Sequence, residues 1–276
     1  MTGLHVLKGH GTENDFVVVP DLDAALSLSA SLVRSLCDRH AGIGADGVLR
    51  VVRTQLATEP DVQAQAEQGA EYFMDYRNAD GSIAEMCGNG VRVFARYLRQ
   101  AGLVHGDTVV ATRGGVRPVA FDGSDVTVGM GAAVTRAEQP LVEGRWTGSA
   151  YELPNPHVVV ELADLDELAG LDLSTPPTVE PALPDGQNVE FFVRTGPNRV
   201  QLRVHERGVG ETRSCGTGIC AVAVAASAGA LAEPWQVDVP GGRCTVAEVD
   251  GELTLSGPAV LVAEIELDPA WLQAHR

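Results

Sequence analysis

The sequence predicts an α/β protein of two pseudo-symmetric domains, each a mixed, mostly antiparallel sheet wrapped around a central helix. Two observations lead to this fold class. A cysteine followed by a Gly-x-Gly turn occurs twice, at Cys87 and Cys215, and each copy precedes a stretch predicted to be helical, 91–100 and 219–228. The second stretch is apolar on every side, as is typical of a helix that a sheet encloses.

The repeat extends upstream of both cysteines in a constant register. Asn78 lies nine residues before Cys87, and Glu206 lies nine residues before Cys215. Each half therefore offers a polar residue at the end of a strand, followed by a thiol at the start of a helix.

A second pair of related runs begins at Asn14 (NDFVVV) and at Asn155 (NPHVVV). A chain built from two such halves is expected to form two related domains that face each other across a binding cleft. The predicted domains are 1–132 and 133–262, and the sequence leaves open whether 263–276 return to the first domain.

The first half alternates short strands with helices. Strands are predicted at 4–8, 15–19, 48–52, 72–77 and within 107–130, and a helix with a serine cap at 29–39. Between them we predict a polar loop at 9–14 with His10 as a turn residue, a tight turn at 42–47 and a surface insertion at 54–69.

The helix at 91–100 has two faces. Val91, Phe94 and Leu98 form an apolar face, and the arginines at 92, 96 and 99 are predicted to face solvent. In the second half, strands are predicted at 158–161, 189–194 and 200–205, with closing strands at 235–237, 245–246, 253–255 and 260–267.

Charge and cysteine content limit the classes of function. The formal net charge of −17 over 276 residues argues against binding to nucleic acid or to an anionic membrane, both of which need a basic surface. The sequence shows neither a signal-peptide pattern nor an apolar run long enough to span a bilayer, so we expect a soluble, cytoplasmic protein.

Five cysteines without Cys-x-x-Cys spacing indicate free thiols rather than disulfides or a zinc site. Cys37, Cys220 and Cys244 are predicted to be packing residues.

The two remaining thiols suggest a reaction. Unpaired N–H groups and the dipole at a helix N-terminus stabilise an anion, so we expect lowered pKa values for Cys87 and Cys215. A thiolate on one face of a substrate carbon would remove a proton, and a thiol on the opposite face would return one, which inverts the centre. The sequence has no evident pyridoxal phosphate site, so neither a cofactor nor a metal is predicted.

The motifs at 74–90 and 206–218, together with the runs at Asn14 and Asn155, resemble the diaminopimelate epimerase family over nearly the whole chain. The resemblance implies a cofactor-independent enzyme that interconverts LL- and meso-diaminopimelate on the bacterial route to lysine and peptidoglycan. It also implies a homodimer.

The resemblance also implies roles for individual residues. Cys87 and Cys215 would be the acid and base, and Glu206 would bind the substrate amine and, with His157, set the protonation of the thiols. Further substrate contacts would come from the backbone N–H groups of Gly88, Asn89, Gly216 and Thr217 and from the side chains of Asn14, Asn78, Asn155, Asn188 and Arg207. Gly47 departs from the family pattern, because many members have Gln there.

Two alternatives remain open at the level of sequence. One is a related racemase with two cysteines, similar to proline racemase. Asn78, Asn188 and Arg207 favour the diamino-diacid, because proline has no distal amino-carboxylate for them to bind. The other is a non-catalytic thiol sensor in which Cys87 and Cys215 form a disulfide.

Overall fold

The computed structural model describes residues 3–275. The chain forms two compact units. Unit 1 comprises Met1–Val128 together with Pro258–Arg276, and unit 2 comprises Gly129–Gly257. Within residues 3–275, no helix combines the length and the apolar composition needed to cross a bilayer.

The first elements of the chain belong to unit 1. The strands are β1 (Leu4–Gly11), β2 (Asn14–Pro20), β3 (Gly47–Arg53), β4 (Tyr72–Asn78), β5 (Thr108–Ala111), β6 (Arg117–Asp122) and β7 (Asp125–Gly131). The helices are α1 (Ala30–Cys37), α2 (Pro60–Gln63) and α3 (Gly88–Gln100), with 3₁₀ helices at Thr54–Leu56 and Ala64–Gln68.

The following elements build unit 2, after which the chain returns to unit 1. The strands are β8 (Val134–Thr135), β9 (Leu141–Val142), β10 (Trp146–Thr147), β11 (Ser149–Leu153), β12 (Asn155–Glu161), β13 (Val179–Glu180), β14 (Asn188–Gly196), β15 (Arg199–Glu206), β16 (Gly210–Thr212), β17 (Trp235–Val239), β18 (Gly242–Val249) and β19 (Glu252–Pro258). The helices are α4 (Leu165–Ala169) and α5 (Gly216–Ala226), and β20 (Val260–Leu267) and α6 (Pro269–His275) end the described chain.

The two units share one strand order. In unit 1 the order is β20-β1-β2-β3-β4-β5-β6-β7, in which β2 and β3, and β4 and β5, pair in parallel and the other neighbours pair antiparallel. In unit 2 the order is β8-β11-β12-β14-β15-β17-β18-β19, in which β12 and β14, and β15 and β17, pair in parallel and the other neighbours pair antiparallel. The predicted mixed, mostly antiparallel sheets are therefore confirmed.

The central helix of each unit crosses between parallel strands. Helix α3 connects β4 to β5 and packs on β1 and β2, and α5 connects β15 to β17 and packs on β11, β12 and β14. Nine of the eleven residues of α5 are buried, which confirms the prediction of an enclosed apolar helix. The predicted apolar face of α3 is also confirmed, since Val91, Phe94 and Leu98 are each 0 % exposed.

Two predicted segments have more regular structure than the sequence indicated, although most residues of 54–69 are exposed as predicted. The predicted loop at 9–14 is a tight hairpin between β1 and β2, in which Thr12 and Glu13 adopt positive φ angles of 49° and 61°. The predicted insertion at 54–69 is folded, and its Val62 packs in an apolar cluster with Phe73. The insertion is also tied to the sheet, because Gln65 Nε2 donates to the Thr112 carbonyl over 2.9 Å.

Several local predictions are confirmed. Ser29 caps α1, since its Oγ accepts the Leu32 N–H over 3.1 Å. His10, by contrast, lies in β1 and not in the turn itself, although its Nδ1 accepts the Glu13 N–H of the hairpin turn. The three cysteines predicted to be packing residues are buried, and burial raises the pKa of Cys37 to about 12.

Candidate active site

Cys87 lies at the N-terminus of α3. Its backbone is extended, with φ −144° and ψ 118°, and the helix begins at Gly88. The Cys87 carbonyl accepts the Val91 N–H over 2.8 Å, which closes the first helical turn. The predicted position of the thiol is therefore confirmed, and the N–H groups of Gly88 and Asn89 belong to the first turn, where helices leave backbone donors without helical partners.

Asn14 lies next to this thiol. Its Oδ1 accepts from the Cys87 thiol over 3.6 Å and from Asn89 Nδ2 over 3.2 Å, and its Nδ2 donates to Asp46 Oδ2 over 2.7 Å. The structure therefore brings three predicted site residues of unit 1 together, and Asp46 fixes the orientation of the Asn14 amide.

Arg92, a buried residue of α3, holds the Asn89 side chain of this group in place. The prediction that Arg92 faces solvent is wrong, because its side chain is 0 % exposed. Its Nη2 donates to Asn89 Oδ1 over 2.5 Å and to Thr12 Oγ1 over 3.1 Å, and its Nη1 donates to the Pro258 carbonyl over 3.0 Å. Because Arg92 holds the Asn89 oxygen, the Asn89 nitrogen is turned towards Asn14. The guanidinium thus orients the amides beside Cys87.

An ionic cluster fixes the start of β2, directly after Asn14. Asp15 accepts from Lys8 over 2.5 Å and from Arg39 over 2.8 Å, and Arg39 also contacts Asp46 over 2.7 Å. Burial favours the neutral form of Asp15, but the hydrogen bonds from Arg39 and Lys8 outweigh burial and hold its pKa well below the ordinary value. Burial raises the pKa of Asp46, and the Asp15 charge adds to that effect.

The opposite directions of these two pKa shifts predict opposite effects of pH on stability. Because the pKa of Asp15 is lower in the folded state, its ionisation stabilises the fold above the unfolded pKa, and that contribution is lost as the pH falls through the folded pKa. We expect Asp15→Asn to lower the free energy of unfolding at pH 7 by an amount on the order of 2 kcal/mol. The deficit should begin to shrink as the pH falls below about 4, the ordinary pKa of an unfolded Asp, and should still be shrinking at pH 2, because the folded pKa lies lower.

Urea unfolding of the wild type and the variant across this pH range measures the effect. Asp46→Asn is the matched control, because ionisation of a carboxyl group with a raised pKa costs stability as the pH rises. A deficit of Asp15→Asn that stays constant with pH would show that the carboxylate charge of Asp15 has no part in stability.

Cys215 occupies the equivalent position in unit 2. It is the N-cap residue of α5, with φ −119° and ψ 114°, and is 6 % exposed. Its Sγ lies 3.5 Å from Thr217 Oγ1 and also accepts a hydrogen bond from the Gly218 N–H. The prediction that this thiol begins a buried helix is confirmed.

The prediction of a lowered pKa is wrong for Cys215. Burial raises its pKa well above the ordinary value, and the Glu206 and Glu190 carboxylates raise it further. The hydrogen bonds from Thr217 and Gly218 act in the opposite direction but are weaker. Cys215 is therefore a neutral thiol at neutral pH, suited to donate a proton.

Glu206 is the last residue of β15 and lies beside Cys215. Its Oε1 accepts a hydrogen bond from Thr212 Oγ1. Burial raises the pKa of Glu206, the Glu190 charge adds to this effect, and the hydrogen bonds from Thr212 and Cys215 and the charge of His157 oppose it. The side chain thus combines a raised pKa with a position near a buried thiol, as is common among acid–base groups.

His157 is held between two oxygen atoms. Its Nδ1 lies 2.7 Å from Glu190 Oε1, and its Nε2 lies 2.9 Å from Asn155 Oδ1. His157 and Glu190 are both 0 % exposed. Glu190 was missed by the sequence analysis, although one acidic residue in the apolar strand 189–193 is an available signal, since buried carboxylates need a partner.

Asn188 and Arg207 lie together in unit 2. Asn188 Oδ1 accepts the Arg207 N–H over 2.9 Å, its Nδ2 donates to the Pro156 carbonyl over 3.2 Å, and the Arg207 guanidinium donates to the Asp185 carbonyl. Asn188 is thus held by backbone groups of β12 and of Arg207, and Arg207 is held by the loop that precedes β14.

Gly47, the first residue of β3, pairs with Asn78, the last residue of β4, in unit 1. Asn78 Nδ2 donates to Ser82 Oγ over 3.0 Å. A β-carbon at position 47 would lie 2.5 Å from the Arg77 carbonyl oxygen and 2.7 Å from the Tyr76 ring. The close strand contact therefore leaves no room for a side chain at Gly47 with this backbone.

Two solved structures share this fold. A phenazine biosynthesis protein of the PhzF family from Bacillus anthracis has a TM-score of 0.69 at 14 % identity, covering 97 % of this chain and 99 % of that chain. A probable proline racemase from Agrobacterium radiobacter has a TM-score of 0.65 at 16 % identity, covering 98 % of this chain and 95 % of that chain. The chain therefore shares its fold of two similar units with a PhzF-family protein and a probable proline racemase.

Relatives of higher identity define the family within that class. The family model for diaminopimelate epimerase matches residues 6–136 and 150–262. Diaminopimelate epimerase of Streptomyces coelicolor is 54 % identical over 99 % of this chain and 98 % of its own length, and that of Mycolicibacterium smegmatis is 52 % identical over 97 % and 98 %. The chain belongs to the diaminopimelate epimerase family and is an isomerase.

Proposed function

We propose that the protein interconverts LL- and meso-diaminopimelate by inverting one α-carbon, without a cofactor, in the synthesis of lysine and peptidoglycan precursors. The observation that carries the proposal is the duplicated cysteine. Cys87 and Cys215 are the N-cap residues of the central helices of two units with one strand order. Family membership supports the choice of substrate, because relatives with the epimerase name match nearly the whole chain.

The proposed reaction uses one sulfur as a base and the other as an acid. A thiolate removes the α-proton, and a thiol delivers a proton to the opposite face of the carbon. Cys215 is the proton donor in one direction, since its raised pKa keeps it neutral, and Cys87 is the base in that direction. The roles exchange in the reverse direction. A forward turnover leaves Cys87 protonated and Cys215 as the thiolate, and a reverse turnover does the opposite.

The negative charge that develops on the substrate carboxylate needs stabilisation. Backbone N–H groups at a helix N-terminus meet this need, because they are preorganised and add the helix dipole. The proposed donors are the N–H groups of Gly88, Asn89, Gly216 and Thr217, which form the first turns of α3 and α5.

Other side chains would bind and orient the substrate. Glu206 would accept a hydrogen bond from the substrate amine and, with His157, set the protonation of the thiols. The proposed orienting contacts are Asn14, Asn78, Asn155, Asn188 and Arg207, with the Arg207 guanidinium as the partner of a carboxylate. We also propose a cytoplasmic homodimer, as family resemblance suggests, and sedimentation of the purified protein measures its oligomeric state.

Racemisation assays with separate substrates test the proposal. We expect purified protein to convert LL-diaminopimelate into the meso form and to leave L-proline unchanged, as measured by chiral chromatography. Activity should survive dialysis against a chelator and treatment with a carbonyl reagent that removes pyridoxal phosphate. Racemisation of proline, or absence of diaminopimelate conversion by folded protein with titratable thiols, would overturn the proposed function.

A further inference from the structure

The two units differ at one pair of equivalent buried positions. In unit 1 the parallel strands β2 and β3 place Phe16 opposite Gly47, and Leu49 follows two residues later. In unit 2 the parallel strands β12 and β14 place His157 opposite Asn188, and Glu190 follows two residues later. Unit 1 thus has Phe16 and Leu49 where unit 2 has the polar pair His157 and Glu190.

The apolar pair of unit 1 and Glu190 of unit 2 each lie against the second glycine of a Gly-x-Gly turn. A β-carbon at Gly90 would lie 3.2 Å from Leu49 Cδ2 and 3.6 Å from the Phe16 ring. A β-carbon at Gly218 would collide with Glu190 Oε1 and lie 3.1 Å from its carboxyl carbon. The Glu190 carboxylate therefore occupies the space at the first turn of α5 that a side chain at position 218 would need.

Both ring nitrogens of His157 face oxygen atoms. Nδ1 lies 2.7 Å from Glu190 Oε1, and Nε2 lies 2.9 Å from Asn155 Oδ1. Carboxylate and amide oxygens accept hydrogen bonds, so this geometry suits a ring that donates from both nitrogens.

Packing alone does not explain the buried pair His157 and Glu190. Glu190 Oε2 has no hydrogen-bond partner among the described residues, although the side chain is 0 % exposed. An apolar pair fills the same positions in unit 1, so the fold does not require charges there. Other titratable groups that face the pair are Glu206 on β15 and Cys215 on α5.

We propose that Glu190 is a positioning residue for catalysis, whose buried carboxylate holds His157 as a doubly donating imidazolium at the N-terminus of the Cys215 helix. The imidazolium offsets the negative charges of Glu190 and Glu206, so that Cys215 can lose and regain its proton. Gly218 is required for this arrangement because it leaves room for the carboxylate. The effect on turnover rests on the proposed function, but the protonation of His157 does not.

A double-mutant cycle tests the proposal. We expect Glu190→Gln to lower kcat about 10- to 100-fold with KM changed less than about threefold, since an orienting partner of a functional histidine is lost. The double variant His157→Phe with Glu190→Leu reproduces the pair of unit 1 and should be as active as His157→Phe alone, within about twofold. Independent, multiplicative losses in the double variant would overturn the proposal.

A direct spectroscopic readout separates this inference from the proposed function. In nitrogen-15 NMR spectra at pH 7.5, both ring nitrogens of His157 should carry protons in the wild type, and one should lose its proton in Glu190→Gln. A neutral ring in the wild type, or an unchanged imidazolium in Glu190→Gln, would overturn the proposal whether or not diaminopimelate is the substrate.

Control variants exclude a general effect of lost charge or lost folding. Glu161→Gln removes an exposed carboxylate from the same strand as His157 and should leave kcat unchanged. Thermal unfolding should show the double variant to be at least as stable as His157→Phe, because Phe and Leu are both fully buried at the equivalent positions of unit 1. If the kcat of Glu161→Gln fell as far as that of Glu190→Gln, a specific role of Glu190 would be contradicted.

Discussion

Replacement of either Cys87 or Cys215 by serine is expected to lower kcat about a thousandfold, within the range of about 10² to 10⁴ that general acids and bases contribute. A serine hydroxyl has a much higher pKa than a thiol, so it cannot form the anion that removes the α-proton. The helix starts should be preserved, because serine is a favoured N-cap residue. Steady-state epimerisation assays in both directions measure the effect.

The matched control is Cys37→Ser, which changes a buried thiol in α1 that has no proposed role in the reaction. This variant should keep the wild-type kcat once its folding is verified by circular dichroism. Wild-type turnover by either Cys87→Ser or Cys215→Ser would contradict the paired-thiol mechanism. A similar loss of kcat in Cys37→Ser would show that the effect of the substitutions is on folding.

Arg92→Met is expected to lower the free energy of unfolding by about 2–4 kcal/mol, because the guanidinium no longer donates to its three acceptors and each lost hydrogen bond costs about 0.5–1.5 kcal/mol net. These acceptors are Asn89 Oδ1, Thr12 Oγ1 and the Pro258 carbonyl. Methionine keeps the helix propensity and much of the volume, so the loss reports the guanidinium. Urea unfolding measures it.

Arg99→Met is the control on the same helix, since Arg99 is exposed and its guanidinium lies over the Phe121 ring. We expect it to change stability by less than about 1 kcal/mol. At permissive temperature, Arg92→Met should also lower kcat, because the Asn89 and Asn14 amides beside Cys87 lose their fixed orientation. Equal stability losses in the two variants would contradict the structural role of Arg92.

Features that depend on local pattern could be predicted from the sequence. The Cys-Gly-x-Gly runs predicted two helix starts, and both cysteines are N-cap residues. The uniformly apolar run after Cys215 predicted an enclosed helix, and the alternating runs predicted the strands that surround it. These features follow from backbone geometry and from the period of the apolar residues.

Features that depend on distant residues could not be predicted in this way. The position of Arg92 on the polar side of a helical wheel suggested solvent, but its acceptors come from Thr12 and Pro258, which are remote in sequence. The pKa of Cys215 could not be predicted for the same reason, because it depends on residues that are remote in sequence. The helix N-terminus was located correctly, but burial and the carboxylates of Glu190 and Glu206 have the larger effect.

The central claim is that two thiols each serve one face of the substrate carbon. Epimerisation of LL-diaminopimelate in heavy water, followed by proton NMR at early conversion, tests it most directly. The account predicts that the meso product carries deuterium at the inverted carbon while unreacted LL substrate keeps its hydrogen. Product that retains the substrate hydrogen, or substrate that exchanges as fast as it inverts, would show that a single base acts on both faces.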